Sequence, residues 1–486
     1  MTSIHSLPVE ILLPIIQMAI EPGSEAAVVC ATVSRRWQPH VERQTFASLR
    51  LDTDRLSKAK DILTPARQTY VRHICMEALL PEYDEPELRG RRETDEEQQQ
   101  NNQAFTRAIV GLFDCLSLWE PIVTGTGRPG VILQLCASSP SDRYGSGGRR
   151  EDRIERWKYS DLSLESGVED DLPALGMITQ FKEHFSCGYK RSILHKNRNI
   201  PRYIAASVYG IIASKLTNLE AVHWRIMYIQ EEYIPLRQKM RQDFAASLAS
   251  FPQSVHHFSL FYPWAELMGH DIQPPRAHVD DPLSIALRGI AQHCTTFKLE
   301  GTVVFDTNLF WPQQLPLSLD ETPYWPRLEE VRISSSKISP LGAWLFHKHP
   351  SAPRPRPRPP SPPHVANSPE VLTVDDPSYH FRVLLDHEYF GEICLAAARA
   401  ATRMPRLKDM TVAWEMMMSC SFGYNVRYSV SDGRACAEYW SDSTPALPLT
   451  AEAEEAWRAA ARVHMGEGGQ ISFDPANVGE RAPWHY

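Results

Sequence analysis

One phrase recurs along this chain and limits what it can fold into: a helix-length apolar stretch, a short turn, then a strand of the type Leu-x-x-Val-x-Leu. Tyr209 to Leu216 leads into Leu219-Glu220-Ala221-Val222-His223-Trp224-Arg225-Ile226, and Phe244 to Phe251 into Val255-His256-His257-Phe258-Ser259-Leu260. Leu283 to Cys294 leads into Phe297-Lys298-Leu299, Trp325-Pro326-Arg327 precedes Leu328 to Ile333, and Glu392 to Met404 leads into Leu407 to Trp414. The first four strands recur roughly every 32 to 41 residues, a period at which each unit buries its apolar side by stacking on the next. This rhythm predicts an α/β fold with parallel strands lining one face and helices covering the other. Val71 to Cys75 and Val131 to Leu135 read as earlier strands of the same array. Spacing alone leaves open an unrelated α/β sheet with crossover helices.

Three insertions interrupt the rhythm and read as disordered: 82–103, charged and Gln-rich; 138–152, with Gly145-Ser146-Gly147-Gly148; and 349–368, with an alternating Pro-Arg run from Pro353 to Pro359. The last has the composition of polyproline II, either a solvated loop or a ligand for an SH3- or WW-like domain. Beyond residue 415 the pattern changes. Phe422 to Val430 and Ala435 to Trp440 alternate as strands around Asp432-Gly433, a hairpin signal, and Thr450 precedes a helical stretch from Ala451 to His464. The predicted layout is therefore 1–50, 51–415 and 416–486, with the hairpin and helix capping the open end of the array.

The first segment is distinctive. Ser6 is placed to cap a helix, with Pro8 in its first turn and Glu10 near the positive end of its dipole. Leu7, Ile11, Leu12, Ile15, Ile16 and Ile20 follow at helical spacing, with Pro14 predicting a kink or split. Ala26, Val29, Cys30, Val33 and Trp37 form a second apolar stripe. Short helices in about 45 residues cannot bury that much apolar surface among themselves, so the surplus predicts either a partner or packing on the rest of the chain.

Leu7-Pro8-x-Glu10-Ile11-Leu12, followed about 20 residues later by Val29-Cys30-x-x-Val33-Ser34-Arg35-x-Trp37, resembles the F-box. The likeness covers roughly a tenth of the chain. It implies a small helical module that docks on a Skp-type adaptor, and through it on a cullin scaffold, with Leu7, Pro8, Ile11, Leu12, Ile15, Val29, Val33 and Trp37 at the family's adaptor-facing or core positions as the adaptor-binding set. The region behind it is similar in rhythm to an irregular leucine-rich-repeat solenoid, without the Asn ladder of that family. The overall plan resembles fungal F-box proteins. The resemblance implies a substrate-receptor subunit of an SCF-type E3 ubiquitin ligase, the repeat region holding an unidentified target protein near the recruited enzyme so that catalysis comes from proximity. A non-degradative interaction scaffold and an α/β enzyme are the alternatives.

Composition narrows the rest. A net charge of −8 argues against a nucleic-acid-binding body. The chain has no apolar run of membrane-spanning length and no signal-peptide pattern at its start. Its nine cysteines are scattered without a Cys-x-x-Cys pair, which suits a reducing, intracellular compartment, cytoplasmic or nuclear. No nucleophile elbow, phosphate-cradling loop or His-Glu-x-x-His helix is present, so neither catalytic residues nor a cofactor are expected. His347-Lys348-His349 reads as exposed loop, His256 and His257 as pointing to opposite faces of a strand, and Asp280-Asp281 and Asp375-Asp376 as turns or caps. The aromatics Trp224, Phe258, Phe261, Tyr262, Trp264, Phe310 and Trp311 are candidates for core or for a target groove.

Overall fold

The computed structural model describes residues 8–19, 29–32, 35–83, 91–124, 130–142, 156–157, 160–183, 201–226, 234–262, 280–312, 322–348, 382–414, 424–431, 433–441, 449–466 and 471–475. They fall in two compact units, Met1–Ala221 and Val222–Tyr486.

The first unit opens with α1 (Val9–Ala19), a helical turn at 29–32, and α2 (Gln38–Thr45). Their core is small: Ile16, Trp37 and Val41 are buried, with Ile15, Cys30 and Ala31 packed around them. α1 runs unbroken through Pro14, where the sequence predicts a kink or split. Pro14 is exposed, so the ring removes one helical hydrogen bond without disturbing any packing.

The chain then alternates β1 (Ser48–Asp52), α3 (Thr53–Ile62), α4 (Pro65–Gln68), β2 (His73–Leu79), α5 (Asp95–Thr124), β3 (Val131–Ser138), α6 (Val168–Asp171), β4 (Ile178–Glu183) and α7 (Ala206–Ser214). β1 to β4 lie side by side in chain order, all parallel, with Leu49 opposite Ile74, Ile74 opposite Leu133, and Leu133 opposite Phe181. These four are buried. Parallel strands in chain order are joined by crossovers of one hand, which stacks the connecting helices on one face. Arg67 of α4 ties α2 to this body: its Nη2 donates to Glu42 Oε1 at 2.6 Å and its Nε to Oε2 at 3.2 Å.

The expectation of disorder over 82–103 is corrected by α5, which begins at Asp95 and takes in the last part of that segment. Its start is a reciprocal capping box: Thr94 Oγ1 accepts from Glu97 N at 3.2 Å, and Thr94 N donates to Glu97 Oε2 at 2.8 Å. Polar contacts replace the missing apolar ones, for Arg202 pairs with Glu93 at 2.7 Å and Asn101 donates to the same carboxylate at 3.1 Å. Of the 138–152 insertion, Ser138 ends β3 and Pro140–Asp142 form a 3-10 turn. Residues 143–152 and the tract 349–368 lie outside the described residues.

The second unit holds β5 (Ala221–Arg225, whose first residue closes the first unit), α8 (Ile234–Ser247), β6 (His257–Phe261), α9 (Pro282–Ala291), β7 (Thr296–Val303) and β8 (Glu330–Ser335). There follow β9 (Phe346–Lys348), β10 (Arg382–Leu385), α10 (His387–Ala401), β11 (Asp409–Trp414), β12 (Tyr424–Ser431), β13 (Arg434–Ser441), α11 (Ala451–Met465) and β14 (Ile471–Pro475). β6, β7, β8 and β11 are parallel in that order, with Phe258 opposite Phe297, Phe297 opposite Val331 and Val331 opposite Met410. β9 and β10 form a separate antiparallel pair. β12 and β13 make the antiparallel hairpin predicted around Asp432-Gly433, with Ser431 opposite Arg434 and Gly433 at φ 70°. α11 is capped as expected, Thr450 Oγ1 accepting from Ala453 N at 3.2 Å. β14 then adds a strand parallel to β13, which the sequence did not announce.

The fold is thus mixed α/β on an open sheet. One irregularity is built into it: β7 carries extra residues between Leu299 and Val303, where Gly301 takes φ 83° and Thr302 φ 60°. Gly301 is required there, since a Cβ would stand 2.8 Å from the Phe261 ring.

Candidate functional site

The N-terminal module has more apolar surface than its core absorbs. Ile11 is 52% exposed, Met18 79% and Val29 64%, while Leu13 is at the margin of exposure. Ile11 and Met18 lie seven residues apart on one face of α1, and Ile16 fills the core from the opposite side. Of the residues singled out from the sequence, Pro8, Ile11 and Val29 are exposed and Ile15 is half-buried against the core. Trp37 is buried and packs with Ile16 and Val41 in the module's core, one of the two kinds of position, adaptor-facing or core, that the resemblance implies for it. It holds the module together and is not presented at its surface. Leu7, Val33 and the side chain of Leu12 lie outside the described residues.

A second surface is the uncovered face of the sheet. Alternation along each strand sends one set of side chains to one face and the other set to the opposite face, and the face opposite the main core carries several cross-bonded polar groups. In the first unit His73 joins Ser48 Oγ at 3.0 Å to Gln134 Oε1 at 2.7 Å across three strands. In the second unit Glu330 and Asp409 stand opposite one another, and two residues further on so do Arg332 and Thr411. Lys298 Nζ is 3.2 Å and Arg332 Nε 2.7 Å from the same Glu330 oxygen, and Arg427 Nε is 2.7 Å from Asp409 Oδ1. Parallel sheets ordinarily have both faces covered. A parallel sheet with a polar outer face is one built to meet water or another macromolecule.

In α/β enzymes helix N-termini near the carboxyl ends of the strands hold anionic ligands; in the second unit the N-termini of α9 and α10 are capped by the chain's own aspartates. Asp281 caps α9, accepting from Ser284 N at 2.7 Å, and Asp386 caps α10, accepting from Tyr389 N at 2.9 Å. Asp306 accepts from Asp281 N and Asn308 N, both at 2.9 Å. Arg241 donates to Asp281 from Nε at 2.9 Å and from Nη2 at 2.5 Å, and to Val304 O at 3.0 Å. Burial pushes the Asp281 carboxyl up, but the charge and hydrogen bonds of Arg241 outweigh it and hold the group below its ordinary value. Burial raises the Asp306 carboxyl. Asp280-Asp281 is therefore a cap and its neighbour, as the sequence implied, with Asp280 accepting from Asn308 Nδ2 at 2.9 Å.

Other singled-out residues are structural. Trp224 is buried with Phe244, Phe251 and Phe258 set around its ring at centroid distances of 5.9–6.4 Å, so this aromatic group is core and not groove. His347 Nε2 lies 2.5 Å from Asp386 Oδ2, which fastens β9 to the start of α10. Among the described residues, no three His, Cys, Asp or Glu side chains converge as metal ligands, and no helix is long and apolar enough to cross a membrane. His349, Trp264 and Asp375-Asp376 lie outside the described residues.

No curated protein matches the chain. Residues 378–483, which contain β10, α10, β11, the β12–β13 hairpin, α11 and β14, match the model of DUF6546, a family of unknown function.

Proposed function

We propose that this chain is the substrate-receptor subunit of an SCF-type E3 ubiquitin ligase. The F-box-like module engages a Skp-type adaptor, and through it a cullin, with the face of α1 that carries Ile11 and Met18. The irregular leucine-rich-repeat-like body holds the target protein on its uncovered sheet face. The chain carries out no chemistry of its own and acts by bringing target and enzyme together. The observation that supports this reading most directly is the apolar surplus of the module. Side chains 52% and 79% exposed share one face of a helix whose opposite side already fills a three-residue core. Apolar surface of that kind marks a docking site.

Co-expression with a Skp-type adaptor tests the proposal. The two co-purify, and Ile11→Asp or Met18→Asp abolishes the complex without changing the circular dichroism or melting of the chain. Absence of any adaptor complex with the unaltered chain overturns it. Accumulation of a specific protein when the chain is deleted separates a degradative receptor from a scaffold.

A further inference from the structure

We propose that Ser166 is a phosphorylation site for an acid-directed protein kinase, one whose peptide groove is basic. The site stands whether or not the chain binds an adaptor. Between Lys158 and Lys182 the sequence has no Lys or Arg, and it carries Asp161, Glu165, Glu169, Asp170 and Asp171. The last three stand three, four and five residues after Ser166. Kinases select substrates by such charge patterns, since a basic groove gains from each carboxylate and an acidic one is repelled. Exposed carboxylates elsewhere on this protein have cationic partners: Glu454 pairs with Arg458, Glu455 with Arg462 and Glu452 with Arg399. Among the described residues, the side chains of Glu165, Ser166, Glu169, Asp170 and Asp171 have no hydrogen-bond or ion-pair partner.

The fold presents the acceptor between two anchors. On one side Ser163 N donates to Asn102 Oδ1 and Glu165 N to Thr106 Oγ1, both at 3.0 Å, which ties the chain to α5. On the other side Leu172 and Leu175 are buried. Between them Glu165, Ser166, Gly167, Asp170 and Asp171 are exposed. Ser160 is buried and Ser163 half-buried, so neither competes as acceptor. A kinase groove takes its substrate extended, so the structure that holds the acceptor has to open at little cost. α6 meets that demand: it is a single turn with no buried residue, and Gly167 at its start has φ 88° and supplies no side-chain cap. Its hydrogen bonds, Val168 N to Glu165 O and Asp170 N to Gly167 O, are both long at 3.3 Å. In the transfer, Ser166 Oγ attacks the γ-phosphorus of a nucleoside triphosphate held by the kinase. The bond to the β-phosphate oxygen breaks, the nucleoside diphosphate leaves with that electron pair, and the hydroxyl proton passes to the kinase's base. A phosphate adds about −1.5 to −2 of charge, and beside four carboxylates it disrupts by repulsion. Modification therefore melts α6 while the anchors on either side hold.

The test incubates the full chain and ATP with a purified acid-directed Ser/Thr kinase, and in parallel with one directed by basic residues. Tandem mass spectrometry maps the phosphate. The first kinase modifies Ser166 and the second does not, and Ser166→Ala removes that phosphate. The triple variant Glu169→Gln, Asp170→Asn, Asp171→Asn keeps the acceptor and slows its modification about tenfold or more. Its melting curve matches that of the natural chain, which verifies folding. In the phosphorylated chain, amide exchange over 167–171 speeds up while the melting temperature holds. No phosphate on Ser166, an unchanged rate in the triple variant, or equal modification by the base-directed kinase would overturn the proposal.

Discussion

Tyr428 donates its hydroxyl proton to Nδ1 of His464 across 2.8 Å, and His464 in turn donates from Nε2 to the carbonyl of Met404 at 2.8 Å. A carbonyl only accepts, so Nε2 carries the proton and the ring is neutral with Nδ1 free to accept. The bridge joins β12, the last turn of α11 and the end of α10 through one imidazole. Burial holds the His464 pKa below 6.5, against the backbone hydrogen bond that favours the charged form. The folded state therefore binds this proton less readily than the unfolded chain. The stability it contributes is present above about pH 6.5 and declines as pH falls through that value toward the folded pKa. The melting temperature drops between pH 7.5 and 5.5, and His464→Gln reduces that drop. An identical pH dependence in the variant would show that the bridge is not its source. Tyr428→Phe costs about 1 kcal/mol at pH 7.5, the size of one hydrogen bond.

The Arg241–Asp281 pair gives a second prediction. Both side chains are at most 3% exposed, and removing one partner strands a buried charge at a cost of about 3–5 kcal/mol. Arg241→Met is thus strongly destabilising in urea unfolding. The double variant Arg241→Met, Asp281→Asn recovers a large part of the loss, since Asn still caps α9 and carries no charge. A double variant as unstable as the sum of the two single ones would show that the residues do not act as a pair.

Much of this architecture was legible in advance. The strands from β5 to β8 and β11 stand where Leu-x-x-Val-x-Leu phrases stand, because an apolar run ending in a turn has few other ways to be buried. The Asp-Gly hairpin and the Thr450 cap were legible because each is local chemistry. What stayed hidden depended on distant partners. The start of α5 has hardly an apolar residue, and Glu93, just ahead of it, is neutralised by Arg202, some hundred residues on.

The N-terminal module supplies a third prediction. Ile16→Ala removes a fully buried side chain from a three-residue core and costs about 2–4 kcal/mol, enough to open α1 locally. Limited proteolysis detects this as faster cleavage ahead of Gln38, while the rest of the chain keeps its melting temperature. Ile11→Ala, at 52% exposure, leaves the proteolytic pattern unchanged. Equal protection of the two variants would mean that α1 is held by something other than the Ile16–Trp37–Val41 cluster.

Asp161 behaves oppositely to His464. Burial pushes its carboxyl up to about 6 despite the opposing charge of Arg202, and Arg202 is already committed to Glu93 at 2.7 Å. A carboxyl whose folded pKa lies above its unfolded value of about 3.9 favours the folded state when protonated. Its contribution is present in full below about pH 4 and is lost as pH rises through about 6. At neutral pH the ionised group therefore opposes folding, and Asp161→Asn, which keeps the shape and removes the charge, stabilises the first unit by about 1–2 kcal/mol at pH 7.5. Near pH 4 the variant and the natural chain melt together. If Asp161→Asn destabilises at pH 7.5, the carboxylate is a useful partner of Arg202 alongside Glu93 and not a strained one.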